Sequence, residues 1–347
     1  MNKYIYIVFT ILIFVGCKKE EKFVPRTISS VEIKHVLEDS LLNVRALEIN
    51  ENRVVAASSN GKIYRSILSY MKDFEEGRYF ENLEDSLNNN NFRSLAFQGD
   101  KTFTLSIGTP AKLFYDGSLV YYENHPKAFY DSMDFWNDNE GIAIGDSTDG
   151  CLSVIITRDG GETWTKLSCD DLPKGIENEG AFAASDTNIA IVGDKTWVAT
   201  TEGRIYYSGD KGKTWEIYNT PIMKDKDTEG IYSMDFYDEL SGFAIGGDYT
   251  KPDDNFANKI RTTDGGKTWN LVAKNENPGY RSCVQYIPNR KGNELVAIGF
   301  KGIDYSNDSG TSWKHISDEG FYTIRFLNDS VAFAAGNGRV SKLTFRE

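Results

Sequence analysis

Arg45, Arg93 and Arg281 each open a short stretch of similar make: Arg45-Ala-Leu-Glu-Ile, Arg93-Ser-Leu-Ala-Phe and Arg281-Ser-Cys-Val-Gln. If these are equivalent strands around one axis, three guanidiniums meet at one mouth as forked donors for a carboxylate or another anion. The same placement also lets each arginine pair with an acid or carbonyl of a neighbouring repeat, a purely structural use. Tyr232 and Tyr322 open two further stretches of this kind and add aromatic edges to the mouth. Asp146, Asp194 and Asp248 each follow a small-and-apolar run (GIAIG, IAIVG and GFAIGG), which sets an acidic arc opposite the basic one. Three residues into the strands stand Glu48, Asp134, Asp235 and Arg325. Asp134 and Asp235 are a carboxylate pair of the sort that hydrolyses glycosides, or else lining acids satisfied by backbone N–H groups and water. Glu48 and Arg325 should form a salt bridge if the first and last repeats are neighbours.

The elements that must position these residues are visible as repeats. TRDGGETW (157–164), SGDKGKTW (208–215), TTDGGKTW (262–269) and SNDSGTSW (306–313) share the pattern [ST]-x-D-x-G-x-[ST]-W. Their tryptophans, Trp164, Trp215, Trp269 and Trp313, are spaced 51, 54 and 44 residues apart, a period of propeller-blade size. Asp159, Asp210, Asp264 and Asp308 can accept turn N–H bonds, and the glycine two residues on supplies a positive φ. Four turn staples are expected here, not catalytic or metal-binding aspartates. Seven strand openings can be counted, the two not yet quoted being Asp131-Ser-Met-Asp-Phe and Gly180-Ala-Phe-Ala-Ala. Each is followed by a turn and a small-and-apolar strand, suited to convergence near an axis. The expected fold is therefore an all-β, seven-bladed propeller over residues 28–347, with about 46 residues per blade. The last unit has only three strands, so residues 28–36 are expected to add its outer strand and close the ring, leaving no open edge. The first two units lack the box. Leu68 to Asn91 and Tyr249 to Ala257 read as inserts, where function tends to lodge.

The four boxes match the Asp box, or bacterial neuraminidase repeat, and the wider chain resembles seven-bladed propellers of the photosystem II stability and assembly factor type. The resemblance implies boxes on the rim opposite the ligand face. It also implies a partner-binding arginine patch, which maps to Arg45, Arg93 and Arg281. A sialidase would need an arginine triad, a Tyr–Glu pair, an acid Asp, an Arg-Ile-Pro motif and six blades. Pro25-Arg26-Thr27-Ile28 is not that motif, and only the three arginines fit. The expected function is thus a non-catalytic binding scaffold for a protein segment or glycan at the tunnel mouth. The alternative is a sialidase-like glycoside hydrolase whose arginine cluster holds a substrate carboxylate.

The amino terminus carries a separate signal. Lys3 precedes an apolar run from Tyr4 to Val15, and then comes Gly16-Cys17. A short positive segment before a short apolar one is the make of a secretory signal. FVGC resembles a bacterial lipobox, although Phe14 stands where Leu is commoner. Residues 1–16 are therefore expected to be a lipoprotein signal peptide, with Cys17 lipidated, or else an ordinary signal or short anchor. Residues 17–27 make a charged tether. Its Lys18-Lys19-Glu20-Glu21-Lys22 resembles signals that send lipoproteins to the outer cell surface, and equally reads as a plain spacer. An outer-membrane location, periplasmic or surface-facing, is expected, with membrane contact through the lipid alone. The net charge of −12 repels nucleic acid and anionic lipid. In an oxidising setting, Cys151 and Cys169, which flank the first box almost symmetrically, should lie across a hairpin in a disulfide or in close approach. Cys283 is expected to be a buried free thiol. His35, His125 and His315 are scattered and no Cys-x-x-Cys occurs, so no metal is expected. No glycine-rich dinucleotide motif calls for a cofactor.

Overall fold

The computed structural model describes residues 23–68, 81–82 and 90–347. Cys17, the signal segment and the start of the tether lie outside the described residues. Among these residues every regular element is a β-strand, and the strands form a β-propeller of six antiparallel sheets. Five sheets have four strands and span residues 92–123, 130–166, 189–219, 231–271 and 283–317. The sixth has seven strands and joins the two ends of the described chain through the long strand Ser30–Ile49. The first part of that strand pairs with Asn337–Arg346, from Ser30↔Arg346 to Asn43↔Asn337. Its last part pairs with Arg53–Ser58, from Val44↔Ser58 to Ile49↔Val54.

The inner strands are buried on both faces because a sheet packs on either side. Leu295–Gly299 is buried at every position, so no polar–apolar alternation survives there. Small residues let these strands converge: a methyl group on Gly246 would strike the Gly230 carbonyl. Aromatic residues fill the wedges between sheets. Trp197 is fully buried and stacks on Phe236 of the next sheet at 3.7 Å, and Trp269 meets the same Phe236 edge-on at 5.9 Å.

The boxes are tight turns whose polar groups satisfy one another. In the first, Asp159 accepts from the Thr157 hydroxyl at 2.8 Å, the Thr163 amide at 2.9 Å and the Thr163 hydroxyl at 2.5 Å, while Gly161 N–H donates to Thr157 Oγ1. Asp210, Asp264 and Asp308 repeat the arrangement. Burial pushes these carboxyls up, and the donors more than offset it, so all four sit below the ordinary aspartate value. The indole N–H of Trp215, Trp269 and Trp313 donates to the box glycine carbonyl. That of Trp164 has no partner. Cys151 and Cys169 are joined by a disulfide with Cα atoms 5.5 Å apart, and Cys283 is a buried free thiol.

One unit differs from the sequence expectation. The innermost strand of the sheet 189–219 is Ile189–Val192, and Lys195–Ala199 is its second strand. Gly180–Ala184, expected to be the innermost strand, belongs to no ladder. Together with the residues up to Asn188 it runs along the axis, because its polar side chains and carbonyls bond to other sheets, as described next.

Candidate functional site

The axial segment 182–188 ties most of the sheets together. Ser185 Oγ donates to the Ser282 carbonyl at 2.6 Å, and Thr323 Oγ1 donates to the Ser185 carbonyl at 2.8 Å. Arg325 Nη2 donates to the Asp186 carbonyl, and Asp186 Oδ2 accepts the Leu95 amide at 2.8 Å. Thr187 Oγ1 donates to Ser233 Oγ, the Met234 amide donates to the Thr187 carbonyl, and Ser132 Oγ donates to Asn188 Oδ1. This segment lines two hollows, one at each end of the axis: Phe182 to Ala184 face the first, Asp186 and Thr187 the second.

The first hollow, of ≈ 390 Å³, lies where the innermost strands begin, on the side away from the boxes. Arg45, Arg93, Tyr232 and Tyr322 meet there, together with Phe129, Phe182, Tyr249, Tyr280 and Phe300. Phe182 and Tyr232 stack at 3.7 Å with planes 4° apart, and Tyr280 meets Tyr232 edge-on at 4.8 Å. Arg45 lies 4.0 Å over the Tyr322 ring, a cation–π contact. Its Nη1 donates to the Ala184 carbonyl at 3.1 Å, and its buried Nε has no partner. Arg93 donates to the Ala183 carbonyl at 3.3 Å and to Asn91 Oδ1 at 3.0 Å. Neither guanidinium has an ion-pair partner among the described residues. Burial, and then the charge of Arg45, push Arg93 down to about 10; burial lowers Arg45 as well. Two half-buried like charges without a counter-ion make this an electropositive aromatic cup.

The third arginine does not join it. Arg281 Nε is held by Asp304 at 2.6 Å, Nη1 donates to the Tyr280 carbonyl, and the side chain is buried. Its neighbour Tyr280 takes the place in the cup. The acids divide three ways. Asp146 lines an adjoining hollow of ≈ 330 Å³ with Phe129 and Glu179, accepts the Ala181 amide at 3.2 Å, and is raised by burial to about 6. Asp248 is buried; burial pushes it up, but donors from Thr250 and Lys226 bring it to about 2. Asp194 sits in the turn between the first and second strands of its sheet, exposed beside Lys211 on the box-bearing rim. IAIVGD has the make of a second strand, which would end at the mouth; as a first strand it ends at the other face.

Asp134 and Asp235 line the second hollow, of ≈ 370 Å³, at the far ends of the innermost strands. They share it with Glu48, Asp186 and Arg325, and Glu48 bonds Arg325 at 2.7 Å. Burial raises both aspartates to about 7. The residues that sequence reasoning missed at the cup are Phe129, Phe182, Tyr249, Tyr280 and Phe300. Tyr249 alone carried a signal, as the first residue of the insert 249–257.

Residues 155–166 match the BNR/Asp-box repeat model. No curated protein matches the chain. Among solved structures, "YCF48 bound to D1 peptide" is similar with a TM-score of 0.63 and 14% identity, covering 94% of this chain and 98% of that one. "Crystal structure of RRP9 WD40 repeats" is similar with a TM-score of 0.63 and 10% identity, covering 94% of this chain and all of that one. At such identities the likeness concerns the fold: both support a propeller.

Proposed function

We propose that this chain is an exported, lipid-anchored scaffold that holds an extended protein segment in the cup of Arg45, Arg93, Tyr232 and Tyr322. On this reading residues 1–16 direct export, Cys17 carries the lipid, and residues 17–27 tether a propeller of residues 28–347 to the outer membrane. The seven-stranded sheet is read as two blades sharing Ser30–Ile49, giving seven blades and a ring closed between the ends of the chain. The support for closure is the register of Ser30–Asn43 against Asn337–Arg346.

The observation that carries the binding role is the pair of half-buried guanidiniums without a counter-ion, set among flat rings. An incoming carboxylate or backbone carbonyl can accept from the Nη2 groups of Arg45 and Arg93, which no hydrogen bond among the described residues uses. The rings offer apolar area with little rotamer entropy to lose. That the similar YCF48 propeller was solved with a peptide adds weight to a peptide ligand over a glycan. The hydrolase reading loses ground on geometry. Arg281 is spent on Asp304, and Asp134 and Asp235 lie at the other end of the axis from Arg45 and Arg93.

Affinity capture from outer-membrane extract with the Arg45→Ala/Arg93→Ala variant tests the proposal. The expected result is capture of one protein by the parent and at least tenfold less by the variant, with no turnover of a fluorogenic sialoside by either. Sialoside turnover abolished by Arg93→Ala would instead establish the hydrolase.

A further inference from the structure

We propose that the tether holds the box-bearing face of the propeller against the membrane, so that the cup opens away from it. This inference rests on the lipid-anchor reading of Cys17 and adds which surface of the molecule meets the bilayer. The end of the tether is built into the propeller. Arg26 Nε and Nη2 donate to Glu294 Oε2 at 3.0 and 2.8 Å, and its backbone amide donates to Glu294 Oε1 at 2.9 Å. Its Nη1 donates to Ser330 Oγ at 3.1 Å, and Nη2 also donates to the Asp329 carbonyl at 2.7 Å. Its carbonyl accepts from the Tyr305 hydroxyl at 2.9 Å and from Asn307 Nδ2 at 2.8 Å.

Glu294 is fully buried. Burial pushes its carboxyl up, but donors from Arg290 and Arg26 bring it below the ordinary glutamate value. Loss of Arg26 from such a site leaves carboxylate lone pairs unmet, which costs free energy. On either side of Arg26 the chain is held as well. Phe23 lies under the Arg290 guanidinium at 5.0 Å, and Ile28 is buried among the apolar residues of the last two units. The free leash therefore ends at Phe23.

These partners stand on one face. Arg290 and Glu294 belong to the turn between the first and second strands of the sheet 283–317, and Asp329 and Ser330 to the matching turn of the last unit. Asn307 is the second residue of the box 306–313. The cup lies at the opposite face, where the innermost strands begin. A five-residue strand such as Leu295–Gly299, rising about 3.3 Å per residue, sets the faces roughly 17 Å apart. Six steps of chain join Cys17 to Phe23, and an extended chain covers at most about 3.6 Å per step, so the leash reaches no further than about 22 Å. With the disc turned over, it would have to cover the thickness of the propeller and the way round its rim. The net charge of −12 gives no attraction to anionic lipid, so the leash and not surface charge sets the orientation. The segment that the cup holds then arrives from the aqueous side, not from the bilayer that carries the anchor.

Energy transfer on the full chain tests this. The protein is matured in a lipidating bacterium, Cys17 is checked by intact mass, and the chain is inserted from outside into vesicles. These contain phosphatidylethanolamine, phosphatidylglycerol and a trace of rhodamine-labelled lipid. A donor dye is attached through Lys267→Cys, on a box turn, or through Asp227→Cys, on the cup side, both exposed positions. Cys283 is buried and Cys151 and Cys169 are joined, so they do not compete for the dye. Transfer from position 267 should exceed that from position 227 at least twofold. A flexible glycine–serine insert of about 30 residues after Lys22, spanning roughly 30 Å, should bring the two close together. Equal transfer in the lipidated parent, or more from position 227, would overturn the orientation and leave the anchor reading standing. An unchanged difference in the insert variant would overturn the leash as its cause. A mature chain without lipid on Cys17 would overturn the anchor reading, and this inference with it.

Discussion

Asp131 is fully buried, and neither of its carboxylate oxygens meets a donor at hydrogen-bond geometry. Burial first, and then the charge of Asp146, push its carboxyl well above the ordinary value. A group whose folded pKa is raised contributes stability that is present below its unfolded pKa and lost as pH rises through the folded one. Asp131→Asn should therefore raise the melting temperature at pH 8 and leave it nearly unchanged near pH 4, as scanning fluorimetry at the two pH values would show. Asp134 and Asp235 act with the same sign, over a window from the ordinary aspartate value, about 3.9, up to about 7. At this scale the sequence carried residue type and spacing but not direction. Arg45 and Arg93 reach the cup as their repeat positions require. Arg281 holds the equivalent position, yet a carboxylate two strands away in the same sheet, Asp304, turns it aside. No repeat pattern encodes that competition.

The boxes were the most legible elements, since one short stretch contains every donor and acceptor of the turn. Asp210 takes the amides of Lys213 and Thr214 and the hydroxyls of Ser208 and Thr214. Asp210→Ala leaves those donors to solvent and should cost about 1–3 kcal/mol, read as a lowered urea midpoint. Its folded pKa is depressed, so its contribution is present above the unfolded value and lost as pH falls through the folded one. The difference between parent and variant should therefore shrink in acid. The sheet 189–219 departs from expectation by one strand because Ile189-Ala-Ile-Val-Gly-Asp has the small-and-apolar make of the second strands elsewhere. What separates the two cases is the preceding Ser185 to Asn188, whose polar atoms find partners as far as 139 residues away.

At the scale of the molecule, the long strand Ser30–Ile49 links the last and first units, and Glu48 and Arg325 bond beside the axis. The lone three-strand unit at the end of the chain made the pairing of residues 28–36 with the last strand legible. The axial segment was not, because its contacts reach nearly every sheet and resemble no local motif. Deleting residues 28–36 should lower the melting temperature by far more than the roughly 2–4 °C that one kcal/mol is worth, since Asn337–Arg346 then loses most of its outer partner. An unchanged melting temperature would mean that the outer strand is dispensable.

We propose above that the electropositive aromatic cup holds a partner's chain. The most direct measurement places a photo-crosslinking benzoylphenylalanine at Phe300, on the exposed side of the cup, in intact cells and maps the attached peptide by mass spectrometry. The expected result is one recurrent segment of one protein, lost when Arg45→Ala and Arg93→Ala are added. Crosslinks scattered over many proteins, or a single crosslink that persists without both arginines, would contradict it.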